Sequence, residues 1–223
     1  SKYGRKRIFL ASVIGFTISS MCCGAANSLT AIVVYRIFQG IFGASLIPLS
    51  QAVLLDTYPR EQHGSAMAIW GIGVMIGPIL GPTLGGYLTE AFSWRWVFYI
   101  NLPVGILAVS GIYLFVPETE KEKDRKFDYF GFTLLSISIG ALQLFLDRGQ
   151  SLDWFSDREI IIEAVLAGLF FYLFIVHMLT SPRPFIDPSI FKDRNFSVGI
   201  TLIFMIGTTL YATLALLPPF MQQ

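Results

Sequence analysis

The sequence predicts an all-α integral membrane protein with about seven membrane-spanning helices. Of its 223 residues, 54% are hydrophobic and 14% charged, where a soluble domain carries about 25% charged residues. Apolar runs of about 17–25 residues recur, which is the length needed to cross the hydrocarbon core. The breaks between the runs are short and hold nearly all the Lys and Arg, as loops at a membrane surface do. The net charge of +1 is spread over those breaks rather than gathered on one face, so the lipid bilayer is an expected partner and nucleic acid is not.

Seven spans follow from the runs: Ile8–Asn27, Leu29–Leu55, Ser65–Leu88, Trp96–Val116, Phe130–Leu146, Ile160–Leu179 and Phe196–Pro218. The second is long enough to tilt or protrude, and the fifth is short and polar, with Ser136, Ser138 and Gln143. Arg and Lys in alternate breaks number twelve against three. The richer side is cytoplasmic by the positive-inside rule, which puts the first basic loop inside. Cys22 and Cys23 are adjacent in an apolar run. Adjacent cysteines cannot form an ordinary disulfide, and no metal-ligand spacing is present, so both are expected to pack as small residues and no metal site is expected. The chain has no initiator Met, opens in a basic loop and stops just after an apolar run, as an internal piece of a longer protein would.

In the first loop, SKYGRKR (Ser1–Arg7), the cluster of basic residues by itself reads as a topological signal. In the second span Arg36 lies about two turns inside an apolar run. Placing a guanidinium at that depth costs about 2.5–3.5 kcal/mol on insertion scales, so it should face a polar cavity or a partner; the alternative is that it snorkels to the interface along its own stem. Gln39, Gly40 and Gly43 share its helical face and offer a hydrogen-bonding group and room beside the charge. Pro48, Ser50 and Gln51 lie further along the same span and could line a cavity or simply pack.

The third span contains GVMIGPILGPTLGG (Gly73–Gly86) in a run without charge from Ser65 to Thr89. Gly73, Gly77, Gly81 and Gly85 recur every fourth residue and leave one helix face bare, which another helix could approach closely. Pro78 and Pro82 each remove a backbone donor. In water such a helix would be penalised by about 1 kcal/mol per Gly and 3 per Pro, but in a membrane neighbouring helices can re-satisfy the freed groups. The expectation is a kinked, tightly packed transmembrane helix.

Before the fourth span, Trp94, Trp96 and Tyr99 suit an interfacial aromatic belt; Asn101 can hydrogen-bond an adjacent helix or contact a substrate. Pro117–Asp128 is a mixed-charge cytoplasmic linker. Glu163 and His177 lie near opposite ends of the sixth span, where each is expected to reach an interface and be solvated rather than to relay protons. An intramembrane enzyme would need a nucleophile–base pair or metal ligands in the spans; these two groups supply neither, and no enzymatic activity is expected.

Several stretches resemble one family. The pattern from Gly77 to Gly86, with Gly81-Pro82 and Gly85-Gly86, is similar to the antiporter motif of drug:proton antiporters in the major facilitator superfamily. RIFQG (Arg36–Gly40) resembles that superfamily's R-x-x-Q-G motif, and Gly4, Arg5 and Lys6 resemble the end of its loop motif, with Ser1 where the family often has Asp. Trp94–Gly105, Leu146–Ser156, Pro188–Phe196 and Leu216–Gln222 look like the 14-helix EmrB/QacA branch. The resemblance covers the chain in order and implies seven of an expected fourteen helices. Residues 1–117 would form the third to sixth helices of the N-terminal bundle, 118–128 a linker, 129–180 an extra helix pair, and 181–223 the start of the C-terminal bundle.

The resemblance also implies function: proton-coupled efflux of lipophilic drugs across the bacterial inner membrane, with no cofactor and the proton gradient as energy source. Arg36, Gln39 and Gly40 would take part in proton coupling. Gly73, Gly77, Pro78, Gly81, Pro82, Gly85 and Gly86 would form the antiporter-motif helix, and Gly4, Arg5 and Lys6 a cytoplasmic gating loop. The partners implied are lipophilic small-molecule drugs, protons, a periplasmic membrane-fusion adaptor and an outer-membrane channel. The membrane-embedded acid of the family's first helix would lie outside this chain. The same motifs would also serve an exporter of one metabolite or siderophore.

Overall fold

The computed structural model describes residues 4–118 and 127–221, with the side chains of residues 156 and 214–221 left aside. Among the described residues the regular structure is helical, and seven stretches are long and apolar enough to cross a membrane: Arg5–Ala25, Leu29–Thr57, Arg60–Ala91, Trp96–Phe115, Tyr129–Leu152, Arg158–Thr180 and Arg194–Thr213. The chain divides into two compact units, Ser1–Arg125 and Lys126–Gln223.

In the first unit the helices are α1 (Arg5–Ala25), α2 (Leu29–Gly43), α3 (Leu46–Thr57), α4 (His63–Ala91), α5 (Trp96–Tyr99) and α6 (Asn101–Phe115). Two expected single spans are therefore each broken in two. The second span breaks between Gly43 and Leu46, and the fourth at Ile100. Each break lies a few residues before a proline. Pro48 cannot donate to the Ala44 carbonyl, nor Pro103 to that of Tyr99, and each ring crowds that carbonyl. Pro78 and Pro82, in contrast, sit inside α4 without breaking it.

α1 is the hub of this unit and packs against α2, α3, α5 and α6. Its buried face is small and polar rather than greasy: Ser12, Thr17, Ser19, Ser20, Cys23 and Gly24, with Val13. Ser45, in the break between α2 and α3, donates to Ser12 Oγ at 2.7 Å. A Cβ added at Gly15 would overlap the Phe42 ring, one at Gly24 would lie 2.5 Å from the Tyr99 ring, and one at Gly105 of α6 would overlap Thr17. Without a hydrophobic drive between helices in lipid, close approach of this kind is a main source of association. Both cysteines are free thiols, and Cys23 is wholly buried.

At the far end of α1 the Arg95 guanidinium closes the turn into α2. Its Nη1 donates to the carbonyls of Gly24 and Ala26, both at 3.2 Å, and it stacks on Trp94 at 4.9 Å. The free carbonyls at the helix end thereby gain a cationic partner. The expected aromatic belt thus also serves as a clasp.

In the second unit α7 (Tyr129–Gly149) and α8 (Arg158–Thr180) pack side by side, and α9 spans Arg194–Met221. α7 runs three residues past the expected end at Leu146 and continues as a single tight turn to Leu152, so the fifth span is not short. Asp128 caps α7 and Asp157 caps α8, accepting from Gly131 N at 2.9 Å and Glu159 N at 2.7 Å, as acidic caps do. Across the seam, Ser138 Oγ donates to the Ala167 carbonyl at 3.0 Å. Between α7 and α8 the chain folds back with Asp153 and Trp154 both left-handed (φ 54° and 52°). The Trp154 ring lies over Gly149 and against Phe145, and this packing holds a backbone shape that side chains normally resist.

Candidate proton-coupling site

Arg36 sits two turns into α2, whose start is capped by Ser28 Oγ accepting from Ala31 N at 3.2 Å. Its Nη1 donates to Gln39 Oε1 at 2.8 Å, the i,i+3 spacing that lets two helical side chains meet. Gln39 is 4% exposed, and Cys23 Sγ of α1 lies 4.0 Å from the same oxygen. The guanidinium stands 5.8 Å from the centre of the Phe98 ring, within the range of cation–π attraction. Phe98 is itself held from α1: Ser20 Oγ donates to its carbonyl at 3.0 Å, and Asn101 Nδ2 donates to Ser20 Oγ at 2.9 Å. Asn101 therefore bonds an adjacent helix, one of the two roles open to it from sequence.

Gly40 leaves open space beside the charge, since a Cβ there would meet no atom within 4 Å. Arg36 itself is exposed within this unit. A guanidinium keeps its proton and carries five N–H donors. With one donor spent on Gln39, the rest can bind a carboxylate or order a water. Ser20, Cys23 and Phe98 were not among the residues singled out for this site. Phe98 lies in the aromatic stretch read as a belt, about sixty residues along the chain from Arg36.

The basic loop forms a second cluster, at the other end of α1. Gly4 has φ 85°, a left-handed value that glycine adopts without strain. Arg5 pairs with Asp56 at the end of α3, Lys6 Nζ donates to the Tyr113 carbonyl of α6 at 2.9 Å, and Arg7 lies 3.7 Å from Glu118. Arg5, Lys6 and Arg7 are thus not loop residues, as expected from sequence, but the first turn of α1, which they tie to the ends of α3 and α6. Ser1 and Lys121–Lys126 lie outside the described residues.

The glycine edge of α4 departs from the expectation of tight packing. At Gly73, Gly77, Gly81, Gly85 and Gly86 an added Cβ would meet no atom within 4 Å, and Ala66 is the buried residue of this helix. α4 touches α3 and α5 instead. The bare edge is a surface of the described residues, and close helix contact falls on Gly15, Gly24 and Gly105.

Two further expectations are corrected. Glu163 is not solvated: it is 7% exposed, Oε1 lies 3.4 Å from Arg148 Nη1, and Oε2 has no hydrogen-bond partner among the described residues. The folded-back turn and the extra length of α7 enclose an end that looked open from its distance along the helix. His177 is likewise occupied rather than free, its Nε2–H donating to Asp128 Oδ2 at 2.8 Å.

Asp128 also accepts from the backbone N–H of Gly131 and of Phe185, both at 2.9 Å. The Gly131 hydrogen bond, with those from His177 and Phe185, holds its carboxyl below the ordinary aspartate value, against an opposing push from burial. A depressed folded value means stabilisation that is complete above the unfolded value and is lost as pH falls through the folded one. Acid unfolding of the α7–α8 region should therefore begin as pH drops past the ordinary aspartate value. In Asp128→Asn, which keeps the cap but not the charge, that part of the pH dependence should vanish in thermal melts taken across the acid range.

Comparison with known proteins shows the family. The model of the Major Facilitator Superfamily matches residues 1–223. The chain belongs to the Major Facilitator Superfamily. It is 42% identical over 224 residues to the multidrug export protein EmrB of Escherichia coli K12, covering 100% of this chain and 44% of that protein. The fatty acid resistance protein FarB of Neisseria gonorrhoeae is 41% identical, covering 99% and 44%. Multidrug resistance protein 3 of Bacillus subtilis is 35% identical, covering 99% and 43%. The chain thus spans under half the length of these relatives and is a multi-pass membrane member of the superfamily.

Proposed function

We propose that this chain is part of a proton-coupled multidrug efflux transporter, a drug:proton antiporter of the bacterial inner membrane, driven by the proton gradient and needing no cofactor. The observation that carries this reading is the intramembrane guanidinium of Arg36, fixed by buried Gln39 and the Phe98 ring. A charge at that depth is costly unless it faces a polar cavity or a partner, and such residues mark ion and proton pathways. Arg36 acts there as a fixed positive charge that stabilises a carboxylate when its proton has left. The bare glycine edge of α4 receives a helix from outside the described residues, and Gly4, Arg5 and Lys6 anchor the cytoplasmic gating loop.

Two further features support lipophilic substrates. The similar proteins are named for export of, or resistance to, multiple drugs and fatty acids. A hollow of about 530 Å³ between α1, α3, α4 and α6 is walled by Phe9, Phe16, Trp70 and Val104, with Thr17, Ser50 and Asn101 as polar points. Apolar walls with few polar groups suit small lipophilic ligands. Trp70 Nε1–H is satisfied by Ser50 Oγ at 3.0 Å. In Gram-negative cells the transporter would work with a periplasmic adaptor and an outer-membrane channel.

The test is accumulation of several unrelated lipophilic dyes in an efflux-deficient bacterium expressing the full-length protein. Lower accumulation of several dyes, restored by a protonophore, is the expected result. Protection against one compound class alone would favour an exporter of one metabolite or siderophore. Unchanged accumulation of every dye, with the protein and its adaptor in the membrane, would overturn the reading.

A further inference from the structure

We propose that Asn101 selects the ligand of the hollow between α1, α3, α4 and α6, an uncharged lipophilic molecule carrying one hydrogen-bond donor, and that Ser20 is the positioning residue that sets the Asn101 amide. The inference rests on the reading of that hollow as a ligand site under the proposed function, and needs nothing of the proton coupling.

Among the described residues no charged side chain borders the hollow. A charged ligand would enter without a counter-charge, which is costly in an apolar site; an uncharged one is spared that penalty. The polar side chains at the border are Thr17, Ser50, Trp70 and Asn101. The first three have each committed their one hydrogen inside the protein. Thr17 Oγ1 donates to the Val13 carbonyl at 2.8 Å, Ser50 Oγ to the Ile47 carbonyl at 2.7 Å, and Trp70 Nε1 to Ser50 Oγ at 3.0 Å. What these groups have left is acceptor capacity on the two hydroxyls.

Asn101 is half-buried and opens α6, just past the break at Ile100. An amide can stand either way round, and its hydrogen-bond partners decide. Ser20 is wholly buried, and its Oγ lies 3.0 Å from the Phe98 carbonyl. A carbonyl only accepts, so the one hydrogen of Ser20 goes there. Ser20 then has only lone pairs to offer Asn101 at 2.9 Å, and Asn101 must turn Nδ2–H toward it. Oδ1 is thereby turned from Ser20 and has no partner among the described residues.

The hollow is therefore bordered by an amide oxygen held in one orientation, and the matching ligand feature is an N–H or O–H group. A site built to hydrogen-bond such a group discriminates against the analogue that lacks it, because its own polar atom is then left unpaired. Ser20 touches no ligand. It acts by denying the amide its second orientation.

The test is binding of two uncharged compounds, diphenylamine with one N–H and N-methyldiphenylamine with none, to the full-length protein in lipid nanodiscs, with binding to empty nanodiscs subtracted. Wild type should hold diphenylamine about two- to thirteen-fold more tightly, the range of one net hydrogen bond. Asn101→Leu should lose that preference and still bind the methyl compound. Ser20→Ala should bring the ratio toward one, since the amide is then free to turn; a Ser20 that only supported the fold would weaken both compounds alike. Equal affinity for the two compounds in wild type would overturn the proposal and leave drug export standing, and so would the wild-type ratio kept in Asn101→Leu or in Ser20→Ala. Binding of neither compound by wild type would overturn it together with the hollow as a ligand site. Should Asn101→Leu fail to fold, the ratio in Ser20→Ala decides alone.

Discussion

Gly15→Val is expected to destabilise the first unit severely. A Cβ at Gly15 would overlap the Phe42 ring, and a valine adds two methyl groups beyond it. Phe42 lies on α2 near the break that leads to α3, so the ring can yield only by shifting that junction. Overpacking costs about 1–3 kcal/mol where neighbours can adjust, and backbone separation of α1 and α2 would cost more. Gly24→Val, against the Tyr99 ring, should behave alike. The thermal midpoint of the purified full-length protein in detergent measures this. A midpoint unchanged from wild type would show that α1 and α2 are not in close contact there.

Arg36→Ala should abolish proton coupling while leaving the protein folded. The side chain is exposed within its unit, so little packing is lost. What disappears is the fixed charge held by Gln39 and Phe98. Arg36→Lys should not restore full activity, because an ammonium lacks the planar fork that bonds Gln39 while stacking on a ring. Phe98→Leu should weaken coupling by roughly two- to thirty-fold, the range of one cation–π contact, and Phe98→Tyr should keep it. Residual uptake or export of a dye, titrated against the proton gradient in each variant, gives the ranking. Equal coupling in wild type and Arg36→Ala would remove Arg36 from the pathway.

The seven candidate crossings were legible because hydropathy over about twenty residues is a local property, and length and apolar composition together decide whether a helix can span. The breaks at Ala44–Ser45 and Ile100 were not read, since hydropathy is blind to missing hydrogen-bond donors. Proline alone does not separate the cases: the breaks lie just before Pro48 and Pro103, whereas Pro78 and Pro82 sit inside α4. The regular glycines of α4 drew attention as a packing face, yet the tight contacts formed at isolated glycines. Whether a glycine is in contact depends on which ring faces it from another helix, and that is not written in its own spacing.

The candidate site divides in the same way. Arg36 and Gln39 could be paired from the i,i+3 rule. Phe98, Ser20 and Asn101 could not be joined to them, because their meeting needs the packing of α1 against α2, α5 and α6. Glu163 and His177 were judged by their distance from helix ends. That measure ignores what folds over an end, here a left-handed turn at one and the Asp128 cap at the other.

The most direct test of proton-coupled export uses inverted membrane vesicles carrying the full-length protein. The vesicles are energised, and lumenal pH is followed by quenching of a weak-base dye as lipophilic drugs are added. Several unrelated drugs should each release protons from wild-type vesicles, and none from vesicles carrying Arg36→Ala. Drug uptake into wild-type vesicles with no proton release would contradict coupling to the proton gradient.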